Sequence, residues 1–411
     1  VALVALAACS ARAQDPVPPR QDGTGTPSPE APGPSISPPA AAGAGRAGHG
    51  SVEARMGYYH NDDSDDSNPF LDEEETVIEP VLVFSFDATE RLSFDATVSY
   101  DYVSSASIDR LSRYPEQSGA SGDDYYGLDL GVRFRATDDL RLGLTGGGSF
   151  EYDYSSLRVG ATAALDLFEK NTTLQLGVNT FLDSVEVIRW NGVETEGSEG
   201  RTTVSITAAW YQVLTPTVHM DAGYTMTHQS GFLETAYNSV VLEDPSYAPN
   251  PMLENQARGI EVTEELPDTR LRHALYGEVR KYFDTGTAIG VGGRFYADSW
   301  GIVSQALELR VYQWLVEDVL RVRARYRFYV QTAADDYDDR FVIPPGSTAV
   351  FVATQDRTQD SDLGAFTAHT VGLKVDWQVV TDHHLDLSID YVLRSDGLDQ
   401  ILFGFGWRWE F

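Results

Sequence analysis

After Ser51 the chain alternates apolar and polar side chains with a period of two. Leu92, Phe94, Ala96, Val98, Tyr100 and Tyr102 alternate with Ser93, Asp95, Thr97, Ser99 and Asp101. Leu320, Val322, Ala324, Tyr326 and Phe328 alternate with Arg321, Arg323, Arg325 and Arg327, and the same rhythm runs through 126–134 and 385–394. A period of two is the mark of a strand with two unlike faces, and no convincing helical period of 3.6 competes with it. About sixteen such stretches occur, most near the ten residues that a tilted strand needs to cross a bilayer. The expected fold class is all-β: a transmembrane antiparallel up-and-down β-barrel of about 16 strands, after a disordered N-terminal segment.

The links between strands carry the same message. From the second strand onward, alternate links are tight: Asp87–Glu90, Thr137–Asp139, Glu169–Asn171, Thr215–Thr217, Asp284–Gly286, Val316–Asp318 and Val380–Asp382. The intervening links include long ones at 60–75, 104–123, 184–200, 230–268 and 333–360. Outer-membrane barrels divide short turns and long loops between their two ends in this way. Strands entering the tight turns finish on Phe86, Phe134, Phe168, Trp210, Phe283, Trp314, Trp377 and Phe411, a row expected to form one aromatic girdle.

Mean hydropathy of -0.27 and a net charge of -32 look soluble, but a barrel shows lipid only every second side chain. The acidic balance argues against nucleic acid as a partner. The single cysteine, Cys9, excludes a disulfide within the chain. It lies in VALVALAACSARAQ, which reads as the end of an export signal over residues 1–13. Two cuts stay open: a lipobox-like Leu6-Ala7-Ala8-Cys9 that leaves a lipidated Cys9, or small-x-small cleavage after Ala13. Residues 14–50, rich in Pro, Gly and Ala, are expected to be a disordered tether, and 51–411 the barrel.

An even strand count puts both termini on the periplasmic side. The last stretch, FGFGWRWEF, resembles the C-terminal signal of Gram-negative outer-membrane barrels, with Trp407, Trp409 and Phe411 as the residues read by the barrel-assembly machinery. Other stretches resemble an uncharacterised barrel family, domain of unknown function thirty-five seventy: FEKNTTLQLG (168–177), LPDTRLRHAL (266–275), YADSWGIVSQALELR (296–310), RARYRFYVQTAADDY (323–337) and LGAFTAHTVGLK (363–374). The resemblance implies an outer-membrane location and assigns no activity. Members are often encoded near a small Cys-containing lipoprotein and thioredoxin-like and flavin-transferase-like proteins, which implies an extracytoplasmic redox partner.

The chemistry concentrates on the inward faces. If Ala324 and Tyr326 face lipid, Arg321, Arg323, Arg325 and Arg327 line the lumen, joined by Arg294, Glu308 and Arg310, with Asp298 nearby. A planar guanidinium suits this place because it donates to several carboxylates at once. Earlier strands turn Asp95, Asp101, Asp129, Glu151, Asp153 and Asp183 inward, diluted by Arg133 and Arg135. Two arrangements follow. A basic strip can face an acidic one across the pore, or neighbouring strands can pair into a salt-bridge ladder that knits one wall, the heavier alternative.

Asp62, Asp63, Asp65 and Asp66 crowd one external loop and Asp335, Asp336, Asp338 and Asp339 open another. Clustered carboxylates suit Ca²⁺, but the glycine turn and terminal Glu of a known calcium loop are missing. A solvated surface that bridges to anionic lipopolysaccharide through cations is the heavier expectation, so no cofactor is assigned. His383 and His384 sit at a tight turn, and His228 and Ser230 near the rim. A polar turn outweighs a metal pair for the first, and a rim hydrolase carries little weight for the second. Gly146, Gly147 and Gly148 lie within a strand pattern and mark close packing. The function expected is a pore or conduit for small solutes, with a scaffold or sleeve for a periplasmic or surface partner as the alternative.

Overall fold

The computed structural model describes residues 47–62, 74–105, 121–189, 195–251, 253 and 256–411. The signal, Cys9, most of the tether, and Asp63, Asp65 and Asp66 lie outside them. The chain closes a sixteen-stranded antiparallel barrel. Its strands are β1 (Gly50–Asp62), β2 (Glu74–Asp87), β3 (Leu92–Ser105), β4 (Ser121–Arg135), β5 (Leu140–Phe150), β6 (Tyr154–Leu167), β7 (Thr172–Ile188), β8 (Thr195–Thr215), β9 (Val218–Gly231), β12 (Thr269–Phe283), β13 (Thr287–Asp298), β14 (Val303–Val316), β15 (Leu320–Gln331), β17 (Thr367–Val380), β18 (His383–Arg394) and β19 (Asp399–Glu410). Each strand pairs with the next barrel strand, and β1 closes on β19 from Ser51↔Glu410 to Asp62↔Asp399.

The tight turns fall where the pattern placed them, and local chemistry explains why. The Thr89 and Thr137 hydroxyls accept from the backbone N–H of Leu92 and Leu140, each at 3.0 Å, folding their own turns. In the β14–β15 turn Asp318 takes a positive φ of 57°, where a short polar side chain is tolerated.

Outward positions are predominantly large and apolar, among them Leu128, Leu130, Leu144, Leu307, Leu373 and Phe405. With inward positions polar, the barrel is inside out relative to a soluble protein, and water cannot be its outer solvent. The structure is therefore a membrane-spanning barrel. The 184–200 link is shorter than expected, because β7 and β8 run on to Ile188 and from Thr195. The polar TEGSEG start of β8 hides a strand that rises past the barrel wall.

The two longest links fold together. β10 (Ser239–Glu243) and β11 (Gly259–Thr263) lie between β9 and β12; β16 (Phe341–Val342) and the short helix α1 (Thr348–Thr354) lie between β15 and β17. They form a three-stranded sheet in the order β11-β10-β16, with Val240, Leu242 and Ile343 buried against Phe341 and Phe351. This cap is small and conventional, apolar inside.

Candidate functional site

The inward wall from β12 to β18 is the densest cluster of charge facing the lumen. Arg321, Arg323, Arg325 and Arg327 lie opposite the exposed Ala324 and Tyr326, as alternation requires. They are paired with neighbours. Arg321 meets Asp376 at 2.9 Å and Arg325 meets Asp390 at 3.6 Å, both on the next strands of the wall. Lys374 meets Asp386 at 3.0 Å, and Arg310 joins Glu278 at 2.8 Å as well as Glu308 on its own strand. Arg323 is buried, Arg327 lies 5.5 Å over the Tyr329 ring, and Arg294 shares the inward face of β13.

Glycines make this pairing possible. Arg325, Gly372 and Asp390 stand in register on β15, β17 and β18, and the ion pair spans the bare middle strand. A methyl on Gly372 would overlap the Asp390 carboxylate. The same device recurs where Asp129 on β4 pairs with Arg158 on β6 across Gly147. Glu278 likewise reaches Arg310 over the Gly290–Gly292 stretch of β13. Sequence reading took Gly147 as close packing without seeing the partner it admits. Its signal was an inward glycine in register with opposite charges one strand away on each side.

On the earlier strands Asp95 is held by Arg133 at 2.7 Å, Asp129 by Arg158 and Asp183 by Arg201 at 3.0 Å, so these three carboxylates are paired on their own side of the barrel. Neighbouring strands offer a cation at contact range, which a charge across the lumen cannot match. Asp298 is not part of the ladder either. It meets Arg270 at 2.5 Å with both side chains fully buried, accepts from Trp300 N–H and Ile302 N–H, and ties the β13–β14 turn.

Trp314 corrects the girdle. It pairs in register with Arg321 and stands on the inward face of β14 with Glu308, Arg310 and Tyr312. The alternation that sends Glu308 inward sends Trp314 inward too. Phe86, Phe134, Trp210, Phe283, Trp377 and Phe411 keep the outward face near the turn end, while Phe168 sits in the β6–β7 turn itself. At the closing strand His383 stacks on Trp407 and Trp409 at 5.8 and 6.3 Å, whereas His384 falls on the inward face, so the two imidazoles diverge. His228 and Ser230 share the outward face of β9.

At the loop end the lumen wall becomes apolar. Tyr59, Val77, Tyr329, Ala368, Val392 and Leu402 turn inward from six strands and pack with Phe366 of the β15–β17 link. Arg394 fixes that segment, lying 3.9 Å over the Phe366 ring and meeting Asp362 and Asp396 at 2.5 Å. The cap above holds two carboxylates that no local pattern of residues marks. Asp244, fully buried, accepts from Ser246, Gly346 and Thr348; burial pushes its carboxyl up, but these bonds outweigh it and hold it below the usual range. Glu264, also fully buried, is pushed up to about 8 by burial and by the nearby Asp360.

The acidic loop splits up. Asp62 ends β1 opposite Asp399, Asp338 accepts from Arg340 N–H, and Asp339 accepts from the Tyr337 hydroxyl. Asp335 lies beside Gly301, and burial together with Asp356 and Asp335 pushes Asp336 up. Among the described residues no three carboxylates, imidazoles or thiols converge to hold a metal ion.

The family model for proteins of unknown function called DUF3570 matches residues 113–400. The chain belongs to the DUF3570 family. No curated protein matches it. Among solved structures the DUF3570 barrel is similar to the ferric enterobactin receptor of Pseudomonas aeruginosa, at 14% identity over 85% of this chain and 54% of that one, TM-score 0.43. It is similar to the siderophore receptor PirA of Acinetobacter baumannii, at 12% identity over 84% and 52%, TM-score 0.42. A bacterial polysaccharide outer-membrane secretin gives 7% identity over 89% and 99%, TM-score 0.47. The chain spans about half the length of these two receptors.

Proposed function

We propose that this DUF3570 protein is an outer-membrane conduit for small solutes, lined by the guanidinium-rich wall of β12–β18. The observation that carries the reading is the state of the inward ion pairs. Arg133, Arg280 and Arg321 keep side-chain exposures of 35%, 31% and 24% although each is salt-bridged on the inward face. Wet, fixed charge at the turn-end mouth, leading to the buried Arg323, Arg327 and Lys374 further along the wall, suits the entrance of a narrow polar path, and sixteen strands leave room for one. In this reading the cap faces the exterior and the Phe366 segment narrows the mouth. Both termini then lie in the periplasm, and the aromatic C-terminal strand serves the barrel-assembly machinery.

Single-channel recording on the purified barrel in planar bilayers tests it. Discrete conductance steps are expected; a folded barrel that stays silent contradicts the proposal.

A second reading has its own observation. The cap exposes Tyr247, Val342 and Val350 on an ordered surface, which suits docking of a protein partner, such as the redox lipoprotein that the family resemblance implies. Co-purification from membranes separates the two, since a conduit comes out alone or with its own copies.

A further inference from the structure

At the turn end of the inward wall a pocket of about 140 Å³ lies between β12 and β14. Its floor is β13, whose inward position there is Ala288, beside the turn glycine Gly286. Its walls are Arg280 and Tyr282 on one side and Tyr312, Trp314 and Arg321 on the other. Small residues in the middle strand and large ones on both flanks sink the floor, so the pocket is written into the three strands.

The two guanidiniums frame it. Arg280 lies 5.2 Å over the Tyr312 ring; Arg321 lies 5.5 Å from the same ring and 5.3 Å from Trp314. Each is anchored along one edge. Arg280 donates through Nε and Nη2 to Glu278 at 3.1 and 2.6 Å, and Arg321 through Nε and Nη2 to Asp376 at 3.1 and 2.9 Å. The Nη1 group of each makes no hydrogen bond among the described residues, and both side chains remain partly exposed. Orientation is thus fixed by carboxylates and ring stacking while donors are left over.

We propose that this pocket binds a small aromatic carboxylate, its ring against Tyr282, Tyr312 and Trp314 and its carboxylate at the spare Nη1 edges. Rings favour a planar apolar body. Unused guanidinium donors favour an anion over a neutral ring. Glu278 and Asp376 already compensate the two cations, which disfavours a multiply charged ligand. The volume is below the roughly 300 Å³ at which pockets begin to hold drug-sized molecules, so a single ring fits. Binding needs no conduction, and a barrel that is silent in bilayers leaves this proposal standing.

Isothermal titration of the detergent-solubilised full chain with benzoate tests it, against benzyl alcohol, which lacks the charge, and acetate, which lacks the ring. Benzoate is expected to bind, with both controls at least tenfold weaker. Ala288→Leu, which raises the floor without touching an ion pair, is expected to weaken benzoate at least tenfold. Where that variant yields no folded barrel, Arg321→Lys takes its place: it keeps the charge beside Asp376 but loses the fork and the ring stacking, and the same loss is expected. No benzoate binding, acetate binding as well as benzoate, or unchanged affinity in a folded variant would each overturn the proposal.

Discussion

The barrel wall and the cap solve the problem of buried charge in opposite ways. In the wall, charge faces inward in registered neighbours, and a glycine between two strands lets a cation reach its carboxylate, as at Asp129–Gly147–Arg158 and Arg325–Gly372–Asp390. In the cap, two carboxylates are enclosed outside any ion pair among the described residues. Asp244 is satisfied by backbone and hydroxyl donors, and Glu264 is enclosed beside a second acid. The wall's charges are organised by a repeating lattice, the cap's by one-off contacts between segments far apart in sequence. The wall's charges are therefore tied to pairing and register, and Glu264 in the cap to proton uptake.

The largest expected effect falls on the wall. Asp298→Ala leaves Arg270 buried without its carboxylate at the boundary of wall and cap, and should cost about 3–5 kcal/mol. Urea unfolding in micelles, followed by tryptophan fluorescence, measures it. Next, Leu309→Arg places a charge on the outward face of β14 near mid-strand and should cost about 2–4 kcal/mol in the same assay in bilayers, if that face meets lipid. Third, Gly147→Ala should cost about 1–3 kcal/mol by overpacking. A Cβ there meets the Leu128 carbonyl at 2.6 Å as well as the Asp129 carboxylate, so side-chain movement alone does not relieve it.

The smallest effect is confined to the cap and to pH. The folded carboxyl of Glu264, at about 8, lies above its ordinary 4.5. Burial leads, Asp360 and Glu234 add to it, and the bonds from Thr358 and Thr235 oppose it. The folded cap thus holds a proton that the unfolded segment has released, so its stability falls as pH rises from about 4.5 to about 8, and the contribution is gone above that. Limited proteolysis of the 244–258 segment should run several-fold faster at pH 9 than at pH 6. Glu264→Gln should flatten that ratio and leave urea unfolding of the wall unchanged.

What was legible in the sequence divides along the same line. Strand period, strand number, tight turns and the inward facing of Arg321–Arg327 follow from alternation, because burying a charge against lipid is costly. Trp314 was misplaced when its aromatic character was weighed above the parity it shares with Arg310. Neighbour pairing as such is legible, but the partners in Asp298–Arg270 and Asp183–Arg201 are not, because pairing depends on which strand is adjacent, not on a face's total charge. The cap was outside reach: β10 pairs in parallel with β16 roughly a hundred residues on, and nothing local in SVVLE names that partner.

The measurement closest to the central claim is the reversal potential across a salt gradient, recorded for the wild-type barrel and for Arg321→Gln and Arg325→Gln. If the β12–β18 wall lines the conducting path, each neutralisation removes one positive charge beside Asp376 or Asp390 and should move the reversal potential toward cation selectivity. An open channel whose reversal potential is the same in all three proteins would contradict it.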